Sequence, residues 1–162
     1  MKRPHFSQAW HAFTIVNRPV AAVGTLIGGK VGLNIRTGTF SNACPIRISY
    51  VLNVTGFPIT ARAFGHAMVS GADGRWYLYR VPDMMDHLAK TFGPPDKTVR
   101  FPKAEHFQGK KGILAIRGHG WSTAVGHVTL WNGATCLDSC HLAHDPDNGT
   151  FVPDIGSLWE LP

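Results

Sequence analysis

No run of apolar residues in this chain approaches the roughly 18 that a membrane-spanning helix needs, so membrane insertion is not expected. The N-terminal MKRPHFSQAWHAF carries basic residues, but His, Ser, Gln and Trp stand where a Sec signal peptide requires an unbroken apolar stretch. Charge is sparse: 16% of 162 residues, with 44% hydrophobic content. That balance excludes a disordered chain and predicts one folded domain, residues 1–162, with a sizeable core. Acids number 10 against 16 bases, a net charge of +6, which points to an anionic partner such as nucleic acid, a membrane surface or cell-wall polymer. The bases are scattered and single out none of these. The glycine-rich stretch from Gly24 to Gly38 contains neither GxxxxGK[ST] nor GxGxxG, so it is read as a loop and not as a phosphate cradle. Cysteine is scarce too, and its three positions make one pair and one remainder.

The remainder, Cys44, lies in FSNACPIRISY, Phe40 to Tyr50. Ser41 and Asn42 suit a helix N-cap, Pro45 suits the first turn, and Cys44, Ile48, Val51 and Leu52 share one helical face. Gly56 and Pro58 end the helix. Free N–H groups and the positive end of the helix dipole favour a thiolate at such a position and can hold an oxyanion. The competing reading is that Cys44 is simply a small buried hydrophobe.

Eighteen glycines and eleven prolines predict short elements and many turns. Phe6, Trp10, Phe13 and Val16 follow helical spacing, and a second helix starts at Pro19 with Val20, Val23 and Ile27 inward. Gly56 to Gly74 reads as a loop, Trp76 to Val81 as a strand, and Pro82-Asp83 opens a helix with Met84, Met85, Leu88 and Phe92 as core. Lys97 to Phe107 reads as irregular. Ile113 to Arg117 is a buried strand, and Gly126 to Trp131 is another in which His127, Thr129 and Trp131 share a face. Asn132-Gly133 predicts a tight hairpin, with a third strand from about Ala134 toward Cys136. A last short strand is expected near the C-terminus.

Cysteine at a helix start, then histidine on a strand, then a polar residue on the neighbouring strand is the chain order of a papain-like thiol hydrolase. Here those are Cys44, His127 and Asp138. The thiolate attacks an acyl carbon, the imidazole holds the ion pair and protonates the leaving amine, and the carboxylate orients the ring. No cofactor is needed. His119 competes as the base, but it sits in the glycine-rich GHGWSTAVG, where a ring is hard to hold still, and rigid elements make better sites. Asp138 lies inside Cys136-Leu-Asp-Ser-Cys140. The two cysteines are close enough for a disulfide, which requires an oxidising compartment, but they also read as free thiols. Cys136, Cys140, His127, His141 and His144 are all metal-ligand types, yet the CxxC and HxxxH spacings of zinc sites are missing. Arg47, one turn after Cys44, is a candidate to support the thiolate or grip a substrate carboxylate. Trp121 and Ser122 are candidate cleft residues. A rival of another class is a non-catalytic wall- or nucleic-acid-binding module, supported by the charge and the aromatics.

The blocks NACPIRISYVLN, SGADGRWYLYRV, KKGILAIRGHGWS, GHVTLWNG and CHLAHDPDNGTFVP resemble the type VI secretion amidase effectors of family four. The resemblance covers nearly the whole chain. It implies an α+β, papain-like (NlpC-type) cysteine hydrolase, with a helical lobe carrying the nucleophile packed on a small antiparallel sheet. It also implies an antibacterial toxin that cuts the γ-D-glutamyl to meso-diaminopimelate bond of peptidoglycan stem peptides. Cys44, His127 and Asp138 match the family's catalytic positions, and Cys136 with Cys140 matches its disulfide. Such effectors lack a signal peptide and are injected by the type VI apparatus into a neighbour's periplasm. A cognate periplasmic immunity protein protects the producer. The anionic partner implied is then the cell wall and not nucleic acid.

Overall fold

The computed structural model describes all residues, 1–162. Helices α1 (Phe6–Val16) and α2 (Val20–Ile27) fall where their apolar spacing places them, with Phe13, Val16, Val23 and Ile27 buried. The glycine-rich stretch expected as a loop is instead helix α3 (Gly29–Arg36), packed on α2. Its glycines serve close approach: a Cβ on Gly32 would lie 2.8 Å from the Gly24 carbonyl oxygen. The two backbones meet where a side chain would force them apart.

Helix α4 (Cys44–Val54) carries the cysteine at its first residue, with Pro45 in the first turn. Cys44, Ile48, Val51 and Leu52 are all buried. The helix stops as expected at Gly56, whose φ of +89° suits glycine. Beyond it the Phe57 N–H donates to the Leu52 carbonyl at 3.0 Å, closing the turn. The following segment is more regular than expected: a short 3-10 turn at Ala63–Gly65 and a hairpin of strands β1 (Met68–Ser70) and β2 (Trp76–Leu78). Polar side chains of α4 clamp this hairpin. Ser49 Oγ donates to the Pro45 carbonyl and accepts the Leu78 N–H at 3.0 Å, and Asn53 Nδ2 donates to the Trp76 carbonyl at 2.9 Å. Helix α5 (Val81–Phe92) buries Met84, Leu88 and Phe92.

Strands β3 (Lys97–Arg100), β4 (Gly112–His119), β5 (Gly126–Trp131) and β6 (Val152–Glu160) form one antiparallel sheet in the order β3-β6-β4-β5. β3 was expected as irregular chain; too short to declare itself, it exists because β6 offers a partner. β6 is correspondingly an interior strand. The strand expected after Asn132-Gly133 does not form. Asn132 Oδ1 accepts the N–H groups of Ala134 and Thr135, both at 2.9 Å, and a single bridge from Trp131 to Cys136 is all the pairing there is. An Asx-type turn has captured the backbone groups a hairpin needs.

Alternation along the strands divides the core. Ile113, Ala115, Val128 and Leu130 pack with the helices, whereas Leu114, Ile116 and Trp131 pack under the 136–151 loop with Cys136, Cys140 and Phe151. β5 is the sheet edge at which both layers meet. No helix is long and apolar enough to cross a membrane. Ser49→Ala leaves the buried Leu78 N–H without a partner and is expected to cost about 1–3 kcal/mol in urea unfolding. An unchanged midpoint would show that the clamp contributes nothing.

Candidate active site

Three elements converge on the edge strand. α4 brings Cys44 from the helical layer, β5 presents His127, and the loop after β5 brings Asp138 from the opposite layer. His127 is 7% exposed and Cys44 only 1%. His127 Nε2 meets Asp138 Oδ2 at 3.0 Å, and the Cys44 sulfur is near enough to the ring to act on its charge. With Nε2 occupied by the carboxylate, Nδ1 is the nitrogen left for Cys44. The second Asp138 oxygen accepts the Thr129 hydroxyl. The period of β5, which puts His127 and Thr129 on one face, therefore aims both at the same carboxylate.

Burial by itself lowers the His127 pKa. The Cys44 charge and the Asp138 carboxylate, with their hydrogen bonds, outweigh it and raise the value to about 10. The arrangement therefore holds an imidazolium between a sulfur and a carboxylate. This is the protonation state that a thiol hydrolase needs before attack.

Asp138 is held by the covalent bond beside it. Cys136 and Cys140 form a disulfide with Cα atoms 5.6 Å apart, and Asp138 is the middle residue of the ring. The carboxylate thus comes from a clamped loop and not from the expected neighbouring strand. With both sulfurs in the bond, neither is a thiolate ligand for a metal.

The family model of the type VI secretion system amidase effector protein 4 (Tae4) matches residues 40–151, a span that includes Cys44, His127 and Asp138. The chain belongs to this family. Tae4 of Salmonella typhimurium, solved in complex with the immunity protein Tai4 of Enterobacter cloacae, is 61% identical, with a TM-score of 0.95 over 99% of this chain and 100% of that one. Tae4 of Enterobacter cloacae, in its complex with Tai4, is 47% identical, also with a TM-score of 0.95 over 99% and 100% of the two chains. No curated protein sequence gives a significant match. The fold is accordingly the papain-like, NlpC-type α+β arrangement, and the chain is a type VI amidase effector.

In this amidase the remaining candidates fall into place around the cleft. Trp121 and Ser122 line it; Trp121 stacks on Phe151 at 4.0 Å and donates its indole N–H to the Asn148 carbonyl. Arg47 also lines the cleft, but its Nη2 donates to the Arg18 carbonyl at 2.7 Å, which ties it to the α1–α2 link. His119, the competing base, is exposed and pairs with Asp154 at 2.8 Å instead.

Two contributors were not read from the sequence in these roles. Asn42, expected as a cap for the first helical turn, accepts the N–H of Cys44 itself at 3.0 Å. His141, named only as a metal-ligand type, packs edge-on against His127 with centroids 4.8 Å apart. Burial and the His127 charge hold its pKa below the usual histidine range. Contact across a loop of this kind leaves no periodic signal in sequence.

Because the folded pKa of His127 is raised above the roughly 6.5 of free imidazole, its stabilising contribution is fully present below that pH. It is lost as pH rises through about 10. Asp138→Asn is expected to lower the midpoint in an NMR titration of the His127 ring; an unchanged midpoint would show that the carboxylate does not support the charge. Reduction of Cys136–Cys140 opens so small a ring that roughly 2 kcal/mol is the expected loss of stability. Denaturation with and without reductant checks this, and complete unfolding would contradict it.

Proposed function

We propose that this amidase effector is a cysteine DL-endopeptidase that cuts the γ-D-glutamyl to meso-diaminopimelate bond of peptidoglycan stem peptides through a thioester on Cys44. The observation that carries the mechanism is a single buried imidazole bracketed by the Cys44 sulfur and the Asp138 carboxylate. In the first half-reaction the sulfur attacks the acyl carbon and His127 Nδ1–H protonates the leaving nitrogen. The C–N bond breaks, leaving a thioester and a free amine. In the second, His127 takes a proton from water, hydroxide attacks the thioester and the sulfur departs, releasing a carboxylate. Asp138 and Thr129 keep the ring oriented throughout.

The oxyanion of each tetrahedral intermediate forms beside the start of α4. Pro45 brings no N–H there and the Cys44 N–H is bonded to Asn42. Asn42 can release that donor, or supply its own Nδ2, to hold the oxyanion.

The wall as substrate is supported by family membership and by the net charge of +6. The disulfide suits an oxidising compartment, as expected of a toxin delivered by the type VI apparatus into a recipient's periplasm. Relatives at 47–61% identity were solved bound to the immunity protein Tai4. We propose that this chain is neutralised by an immunity protein of the same kind, seated over the cleft.

Purified Gram-negative peptidoglycan incubated with the protein is expected to release fragments ending at D-glutamate, identified by mass spectrometry. Cys44→Ala is expected to reduce their formation by on the order of 10⁴-fold or more while the circular dichroism spectrum is retained. Fragments from both proteins would sink the thioester mechanism. Fragments from neither would favour a wall-binding module.

A further inference from the structure

The cleft is two hollows that share Asn42, Trp121, Thr123 and Ala124. One, of about 430 Å³, is lined by His127, Asp138 and His141. The other, of about 370 Å³, is lined by Pro45, Tyr79, Arg80 and Ser122 and contains no part of the acid–base pair. A general acid must reach the nitrogen it protonates within hydrogen-bond distance. The leaving amine therefore lies in the hollow of His127, and the acyl portion of the substrate extends past Pro45 into the other.

That acyl hollow has one charged side chain, Arg80. Its guanidinium takes part in none of the ion pairs of the molecule. It lies over the Tyr79 ring, 5.5 Å from the centroid, and Tyr79 in turn stacks on Phe40 at 4.6 Å. Two stacked rings thus hold a cation at the cleft wall. The local fold gives the charge no other employment. Arg80 directly precedes α5, a place the helix dipole disfavours for a cation. Asp83, the acid of that first turn, has a carboxylate oxygen 3.4 Å from the Ala67 N–H.

We infer that Arg80 determines specificity by binding a free carboxylate on the acyl side of the scissile bond. This rests on the γ-glutamyl reading of the site. A γ-linked D-glutamyl group carries its α-carboxylate free, a few bonds from the carbon attacked by Cys44, whereas an α-linked residue with an uncharged side chain offers no anion there. A guanidinium fork matches a carboxylate in charge and geometry.

The test uses two synthetic stem peptides, one with D-glutamate and one with D-isoglutamine, in which the α-carboxylate is an uncharged amide. The wild-type kcat/KM is expected to favour the glutamate peptide by on the order of 10–100-fold. Arg80→Gln is expected to abolish that ratio by slowing only the glutamate peptide, and Arg80→Lys to retain part of it. Equal cleavage of both peptides by the wild type, or an undiminished ratio in Arg80→Gln, overturns the inference and leaves the amidase reading intact. An equal loss on both peptides would assign Arg80 a structural role and also overturns it. Failure of the wild type to cut either peptide overturns the γ-glutamyl reading and this inference together.

Discussion

A charged imidazole buried at a sheet edge is the constraint on which the rest of this structure depends. Removed from water, the His127 cation is tolerable only with polar partners on both sides, and each partner must be fixed, because a slack pair does not repay the desolvation it requires. The two partners come from opposite layers of the core. Cys44 arrives on a helix that is sealed along its length, and Asp138 on a loop that has no secondary structure of its own.

The two sides are fixed by different means. On the helical side, Ser49 and Asn53 bind α4 to the β2 hairpin, and Gly56 closes the helix behind them. Cys44 sits at the head of a rod anchored along its length. On the loop side, packing cannot do as much. The disulfide closes a short ring around Asp138, Cys136 and Cys140 share a small core with Trp131 and Phe151, and Thr129 binds the carboxylate oxygen that His127 leaves free. Covalent closure here substitutes for the missing strand.

The cleft inherits its asymmetry from this construction. His127 and Asp138 occupy one half, with His141 packed against the His127 ring, and the aromatic platform under Arg80 occupies the other. Trp121 joins the halves, and its ring is fixed by Phe151 and the Asn148 carbonyl. Arg80 therefore lines one half of the cleft and the His127 imidazole the other.

Much of this was legible in the residues alone. The helical spacing from Cys44 to Leu52, the alternation of His127 with Thr129, and the enclosure of Asp138 by two cysteines are local patterns. Local patterns are set by the period of the helix and strand. What the sequence by itself determined was therefore the strongly periodic elements and the side chains each presents on its buried face. Tertiary structure alone decided how those elements meet. The glycines of Gly24 to Gly38 support a helix only because α2 offers a surface to approach, and Lys97–Arg100 is a strand only because β6 stands beside it. Asn132 turns the chain away from a hairpin, so Asp138 reaches His127 from a clamped loop. Residues such as His141 and Arg80 take their places from contacts made across the chain. Such contacts depend on which surfaces are left to pair once the core has formed, and no local period encodes that.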